Sequence, residues 1–248
     1  MTAGIKDILI ITNSENLYAM KKLLGDGSRF GLQLSFKEQI KAEGIAQAFT
    51  IGEQFIGKNN VALILGDNIF FGANFSAILE KVDKINKPTI FTYEISDPSS
   101  FGIVELNKRG RPIKIIEKPK KFFSNLCVTG LYFFNNDVVN IAKKLKKSKR
   151  GEYEITDINN VYIKKQRLNI EKLNRGFTWL DAGSPEGIIN ASQFIRSIEK
   201  KQGLKIACLE EIALRNNWIN KSDIKLLLKE NSNSEYYEYI KKIVNYFK

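Results

Sequence analysis

The reading of the chain turns on Val61-Ala-Leu-Ile-Leu-Gly-Asp-Asn-Ile-Phe-Phe-Gly72. The apolar run Val61 to Leu65 stops abruptly at Gly66-Asp67-Asn68. A short apolar run bounded by turn residues reads as a buried strand, parallel to its neighbours and covered on both faces. A carboxylate just past the C-terminal end of such a strand lies at the rim where open α/β sheets bind ligands. Asp67 is therefore a candidate ligand for a divalent metal. Gly-Asp-Asn is also good turn chemistry, and this stretch alone leaves the two readings level.

Outward from that strand, elements alternate. On the N-terminal side, Ile5 to Thr12 and Leu32 to Lys37 read as strands, with a short helix from Asn16 to Leu24 between them. Gly44 to Gly57 is an amphipathic helix with Ile45, Ala48, Phe49, Gly52 and Ile56 on one side. On the C-terminal side, a helix over 74–85 and a strand from Pro88 to Ile95 follow. Gly102–Leu106 and Pro112–Glu117 form a hairpin around Asn107-Lys-Arg-Gly110. Next come a strand from Cys127 to Phe134, helices over 137–145 and 155–165, and strands over 168–173 and 177–180. This order predicts an α/β fold: a Rossmann-like, mostly parallel sheet with helices on both faces and a small β-hairpin insertion. From Ser184 onward the pattern is helical, opening on Ser184-Pro185-Glu186 and continuing over 222–229 and through Tyr236, Tyr239, Ile240, Ile243 and Phe247. The expected organisation is an α/β domain over 1–183 and a C-terminal helical cap over 184–248.

Composition narrows the chemistry. The 248 residues carry a formal charge of +12 and contain no histidine, which excludes a His-based triad and a His-ligated zinc site. Cys127 and Cys208 have no metal-ligand spacing. Free thiols and the lack of a secretory leader point to the cytoplasm, and no apolar run is long enough to span a bilayer. The positive charge is mostly scattered Lys, without an RNA-binding aromatic signature or a helix-turn-helix. It suits a phosphorylated small molecule equally well, and the missing motifs weigh against nucleic acid.

Phe177-Thr-Trp-Leu180 ends in Asp181-Ala-Gly183 and repeats the form of the Asp67 stretch. Two strand-end carboxylates converging at one sheet edge suit Mg²⁺, which takes one or two carboxylates, waters and substrate phosphates; a turn role for Asp181 is the alternative. Glu117-Lys118 precedes Pro119. Its Lys suits a phosphate and its Glu suits sugar hydroxyls, although charge alone favours a solvated hairpin exit. Arg150-Gly151-Glu152-Tyr-Glu154-Ile-Thr156-Asp157 concentrates charge before a helix, and acid enrichment at a helix start accounts for Glu152. Gly44 is either a base-binding backbone turn or a helix start.

Several stretches in order resemble one family: Leu24-Gly-Asp-Gly-Ser28, Glu43-Gly-Ile-Ala-Gln-Ala-Phe49, Leu65-Gly-Asp-Asn68, Ile116-Glu-Lys-Pro119, Val128-Thr-Gly-Leu-Tyr132, Arg150 to Asp157, Trp179-Leu-Asp-Ala-Gly183 and Gln202-Gly-Leu-Lys205. Together they look like the glucose-1-phosphate thymidylyltransferases, over nearly the whole chain. The resemblance implies Mg²⁺-dependent condensation of dTTP with glucose 1-phosphate to dTDP-glucose and pyrophosphate, in a homo-oligomer that is a tetramer in the family. It implies catalytic roles for Asp67, Lys118 and Asp181, with Asp67 and Asp181 on the metal. Gln39 and Gly44 would read the thymine; Gly102, Glu117 and Val128 would contact the sugar; Lys118 and Arg150 would lie by its phosphate. Phe101 stands where the family usually has Tyr.

One departure is large. The family opens with a strand, a Gly-rich G-G-x-G-T-R-L loop and a Lys in a K-x-x-x-P-type segment, and the chain matches only from the end of the first long helix. The expectation is an N-terminally truncated chain with poor solubility and no measurable thymidylyltransferase activity in isolation. The alternatives are a non-catalytic sugar-nucleotide-binding or regulatory subunit, and a nucleotidyltransferase that uses UTP, CTP or ATP.

Overall fold

A computed structural model describes residues 1–230 and 234–246. These form two compact units, one built from residues 39–187 and the other from residues 1–38 together with 188–248. The division therefore differs from the boundary expected at 184, because the first 38 residues group with the C-terminal helices.

Residues 1–38 supply β1 (Asp7–Thr12), α1 (Ser14–Leu24), a 3₁₀ turn at Ser28–Phe30 and β2 (Gln33–Glu38). Helix α1 starts where the Asn13 side chain accepts the Asn16 backbone N–H at 2.9 Å, an ordinary N-cap. β1 and β2 pair in parallel, Asp7 opposite Gln33, as the βαβ pattern requires.

In the second unit the segment expected as one helix is two, α2 (Gln47–Ile51) and α3 (Glu53–Ile56), broken at Gly52. β3 (Val61–Ile64) is followed almost at once by β4 (Asn68–Gly72), then α4 (Phe75–Ile85) and β5 (Thr89–Glu94). β6 (Gly102–Leu106) and β7 (Pro112–Glu117) form the expected hairpin. Its turn is closed by Asn107 Oδ1, which accepts the N–H groups of Arg109 and Arg111. β8 (Leu126–Phe134), α5 (Val138–Ala142), α6 (Ile155–Lys164), β9 (Asn169–Lys172) and β10 (Phe177–Asp181) complete this unit.

The α/β class holds, with a mixed sheet. β8 is almost wholly buried and runs antiparallel to β5, β6 and β3, while β9 lies parallel to β5. β3, β5, β6 and β9 run one way and β8 runs the other, so every pair that includes β8 is antiparallel. β3 is accordingly antiparallel to its partner. It is also half-buried, with Ile64 57% exposed, and so differs from the parallel strand covered on both faces that its apolar run suggests. Among the described residues β4 and β10 pair only with each other, antiparallel, Asp181 opposite Asn68.

The core of this unit joins sheet and helices through Phe134, which stacks on Tyr162 and takes Phe49 edge-on, both at 5.5 Å between centroids. A smaller cluster of Ile103, Cys127 and Trp179, packed with Phe70, Tyr93 and Phe101, underlies the β4–β10 ribbon.

The C-terminal helices are α7 (Pro185–Gln202), α8 (Leu209–Arg215), α9 (Lys221–Glu230) and α10 (Glu235–Tyr246). The sequence pattern shows three of them and misses α8, whose seven residues are too few to display a period. Phe247, expected in the last helix, lies outside the described residues. Cys208, Leu214, Ile224, Tyr239, Ile240 and Val244 form the core of this unit. The strand pair joins it where Gly31 lies against Trp218 and Lys6 sits 5.2 Å over the Trp218 ring. Among the described residues no helix is long and apolar enough to cross a membrane.

Candidate active site

Asp67 sits in the tight link between β3 and β4, and Asp181 ends β10. The antiparallel ribbon brings the two together. Ala182 N–H donates to the Asp67 carbonyl at 2.8 Å, and Gly183 N–H donates to Asp181 Oδ1 at 2.8 Å. A Cβ at Gly183 would lie 2.8 Å from Asp67 Oδ2 and 2.9 Å from Asp181 Oδ1, so the two carboxylates face one small space that only glycine leaves open. Among the described residues no group of three or more His, Cys, Asp or Glu side chains forms a metal set. Two carboxylate oxygens around an open space fit a hard cation that draws its remaining ligands from water and phosphate.

Beside the pair is a cavity of about 180 Å³ lined by six of the residues singled out in sequence, Gly102, Glu117, Lys118, Val128, Arg150 and Asp181. Asn68, Gly130, Thr156 and Trp179 line it as well. Glu117 stands opposite Gly102 in the β6–β7 hairpin, and a Cβ at Gly102 would come within 3.1 Å of Glu117 Oε2. The Thr156 hydroxyl donates to Glu117 Oε2 at 2.6 Å. Burial, and then the neighbouring Glu154 carboxylate, push the Glu117 carboxyl above the usual range against the pull of Thr156, Arg150 and Lys118. The Arg150 guanidinium lies among three carboxylates, 3.0 Å from Glu152, 3.5 Å from Glu154 and 3.8 Å from Glu117. Lys118 has φ +43°, in the left-handed region that a non-glycine residue rarely adopts, and its N–H donates to the Phe101 carbonyl at 3.0 Å.

Gln39 and Gly44 do not line this cavity, although Ile45 does. Gln39 Nε2 donates to Gln47 Oε1 at 2.7 Å. Gly44, at φ +106°, lies so close to Tyr153 that a Cβ would fall 2.4 Å from the Tyr153 carbonyl oxygen. Sequence reasoning missed the contributions of Asn68, Gly130 and Thr156. One available signal was the Trp179 indole: a buried N–H on a strand needs an acceptor, and Asn68 Oδ1 supplies it at 2.7 Å.

The mixed α/β sheet with its paired carboxylates beside a cavity belongs to a chain whose residues 1–198 match the family model described as "Nucleotidyl transferase". Within that class, the chain is 44% identical to the glucose-1-phosphate thymidylyltransferase of Neisseria meningitidis, covering 98% of this chain and 85% of that protein. It is also 44% identical to that of Mycolicibacterium smegmatis, covering 98% and 84%. The crystal structure of a Bacillus anthracis protein assigned as a glucose-1-phosphate thymidylyltransferase, in complex with a sucrose, superposes with a TM-score of 0.69 at 36% identity, covering 76% of each chain. A UDP-glucose pyrophosphorylase structure shares the fold at a TM-score of 0.65 and 24% identity. The chain belongs to the glucose-1-phosphate thymidylyltransferase family.

Proposed function

We propose that this site joins dTTP and glucose 1-phosphate into dTDP-glucose and pyrophosphate. The observation that carries the reading is the convergence of Asp67 and Asp181 on the space at Gly183, next to a cavity where Glu117, Lys118 and Arg150 meet. An oxygen of the sugar phosphate attacks the α-phosphorus, a new P–O bond forms, and the α–β bridge breaks as pyrophosphate leaves. The reaction needs positioning and charge neutralisation rather than a general base, which suits a chain without histidine. Asp67 and Asp181 would hold Mg²⁺, which when bound neutralises phosphoryl charge. Glu117 accepts hydrogen bonds from sugar hydroxyls over the opening left by Gly102, and Val128 packs against the ring. Lys118 and Arg150 hold the sugar phosphate. For Arg150 this means exchanging carboxylate partners for the phosphate, with which it also forms charge-assisted bonds. Gln39 and Gly44 address the thymine.

Turnover and binding are measured separately. Formation of dTDP-glucose from dTTP, glucose 1-phosphate and Mg²⁺ supports the catalytic reading. Calorimetric binding of dTDP-glucose without turnover moves the chain to a non-catalytic, sugar-nucleotide-binding role, and no binding contradicts both. An equal response to UTP would contradict the thymidylyl assignment. The same reading makes the protein a cytoplasmic homo-oligomer that supplies dTDP-glucose for deoxysugar or rhamnose synthesis. A monomer by light scattering would contradict the oligomer.

A further inference from the structure

The Asn68 side chain makes three hydrogen bonds that together fix its orientation. Its Oδ1 accepts the Gly130 backbone N–H at 2.8 Å and the Trp179 indole N–H at 2.7 Å. Neither donor has an acceptor to offer in exchange, so the amide oxygen must face them. The Nδ2 group is thereby turned toward Asp67, and it donates to Asp67 Oδ1 at 2.7 Å. A Cβ at Gly130 would lie 2.5 Å from Asn68 Oδ1, so the close seat for the amide depends on glycine there. With Oδ1 engaged, the oxygen of Asp67 that faces Asp181 Oδ1 across the Gly183 space is Oδ2.

We infer that Asn68 is a positioning residue for the cation site: held by Trp179 and Gly130, it orients the Asp67 carboxylate so that Oδ2 is presented opposite Asp181. The inference rests on the metal reading above and adds a residue to it. Partners that orient a ligating carboxylate typically change metal affinity about 10- to 100-fold when removed. Aspartate at this position keeps the size of the side chain and can still accept from Gly130 and Trp179, but it has no hydrogen to give Asp67. Trp179→Phe acts from the other side, by freeing the amide to turn.

The test uses Mn²⁺ as the probe, titrated into the whole chain with dTDP-glucose present and followed by electron paramagnetic resonance, with a thermal melt of every variant. Wild type should bind Mn²⁺ and Asp181→Asn should lose it. Asn68→Asp and Asn68→Ala should weaken it about 10- to 100-fold, and Trp179→Phe should weaken it less while melting as a folded protein. If Asp181→Asn loses the ion while the folded Asn68 and Trp179 variants bind as wild type does, the positioning role is overturned and the metal reading stands. If wild type, Asp181→Asn and Asn68→Ala are indistinguishable, the metal reading fails and the positioning role falls with it.

Discussion

At the scale of single residues, the cavity stores costs that a merely structural surface would not carry. Lys118 holds φ +43°, a conformation that costs a side-chain-bearing residue about 1–2 kcal/mol. A Lys118→Gly variant should therefore be more stable than Lys118→Ala by about 1 kcal/mol in urea denaturation, once the lower backbone entropy of alanine is set against the strain. Equal stabilities would mean that the backbone relaxes. Glu117 is the second such cost. Burial disfavours its charged form, so its folded pKa lies above the unfolded one. The penalty is absent below the unfolded pKa, grows as pH rises toward the folded value, and is fully present above it. Glu117→Gln should then melt higher than wild type at neutral pH, with the gain disappearing in acid, while dTDP-glucose binding weakens. A gain that grows toward acid would contradict the assigned direction. Both residues were conspicuous in sequence as a charged pair at a strand end, but the strain and burial were not, since both depend on Phe101 and Thr156 arriving from elsewhere in the chain.

At the scale of elements, local patterns located most strands and helices, and pairing was the part that stayed hidden. The hairpin at Gly102–Glu117 was legible from Asn107 to Gly110, because turn chemistry is local. Asn68-Ile-Phe-Phe-Gly72 was not, since what makes it a strand is Phe177–Asp181, more than a hundred residues away. The parallel character expected from an alternating order also yields where β8 takes β3, β5 and β6 antiparallel. The β4–β10 ribbon is packed closely enough to test. A Cβ at Gly72 would lie 2.3 Å from the Phe177 ring, and the ribbon's end carries Asp181. Gly72→Ala should destabilise the protein by about 1–3 kcal/mol, as overpacking does, and weaken Mg²⁺-dependent ligand binding without touching a ligand itself. A melting temperature equal to wild type would show that the ribbon gives way freely.

At the scale of the whole molecule, the +12 charge is spread over lysines, many of which face a carboxylate at the surface, as Lys81 does Glu171 and Lys172 does Glu94. Such pairs contribute little stability, and under the function proposed above the charge acts more as a field that draws phosphorylated ligands. The family was legible because its motifs occur in order along the chain. The grouping of residues 1–38 with the C-terminal helices was not, because it depends on contacts such as Gly31 with Trp218 that no local pattern announces. The central claim is that Asp67 and Asp181 belong to one metal-dependent sugar-nucleotide site with Glu117, Lys118 and Arg150. The most direct measurement is a calorimetric titration of dTDP-glucose with and without Mg²⁺, on wild type, Asp67→Asn and Asp181→Asn. We expect binding to wild type that Mg²⁺ strengthens, and loss of that Mg²⁺ dependence in both variants. Affinity that is the same with and without Mg²⁺ in all three proteins would contradict it.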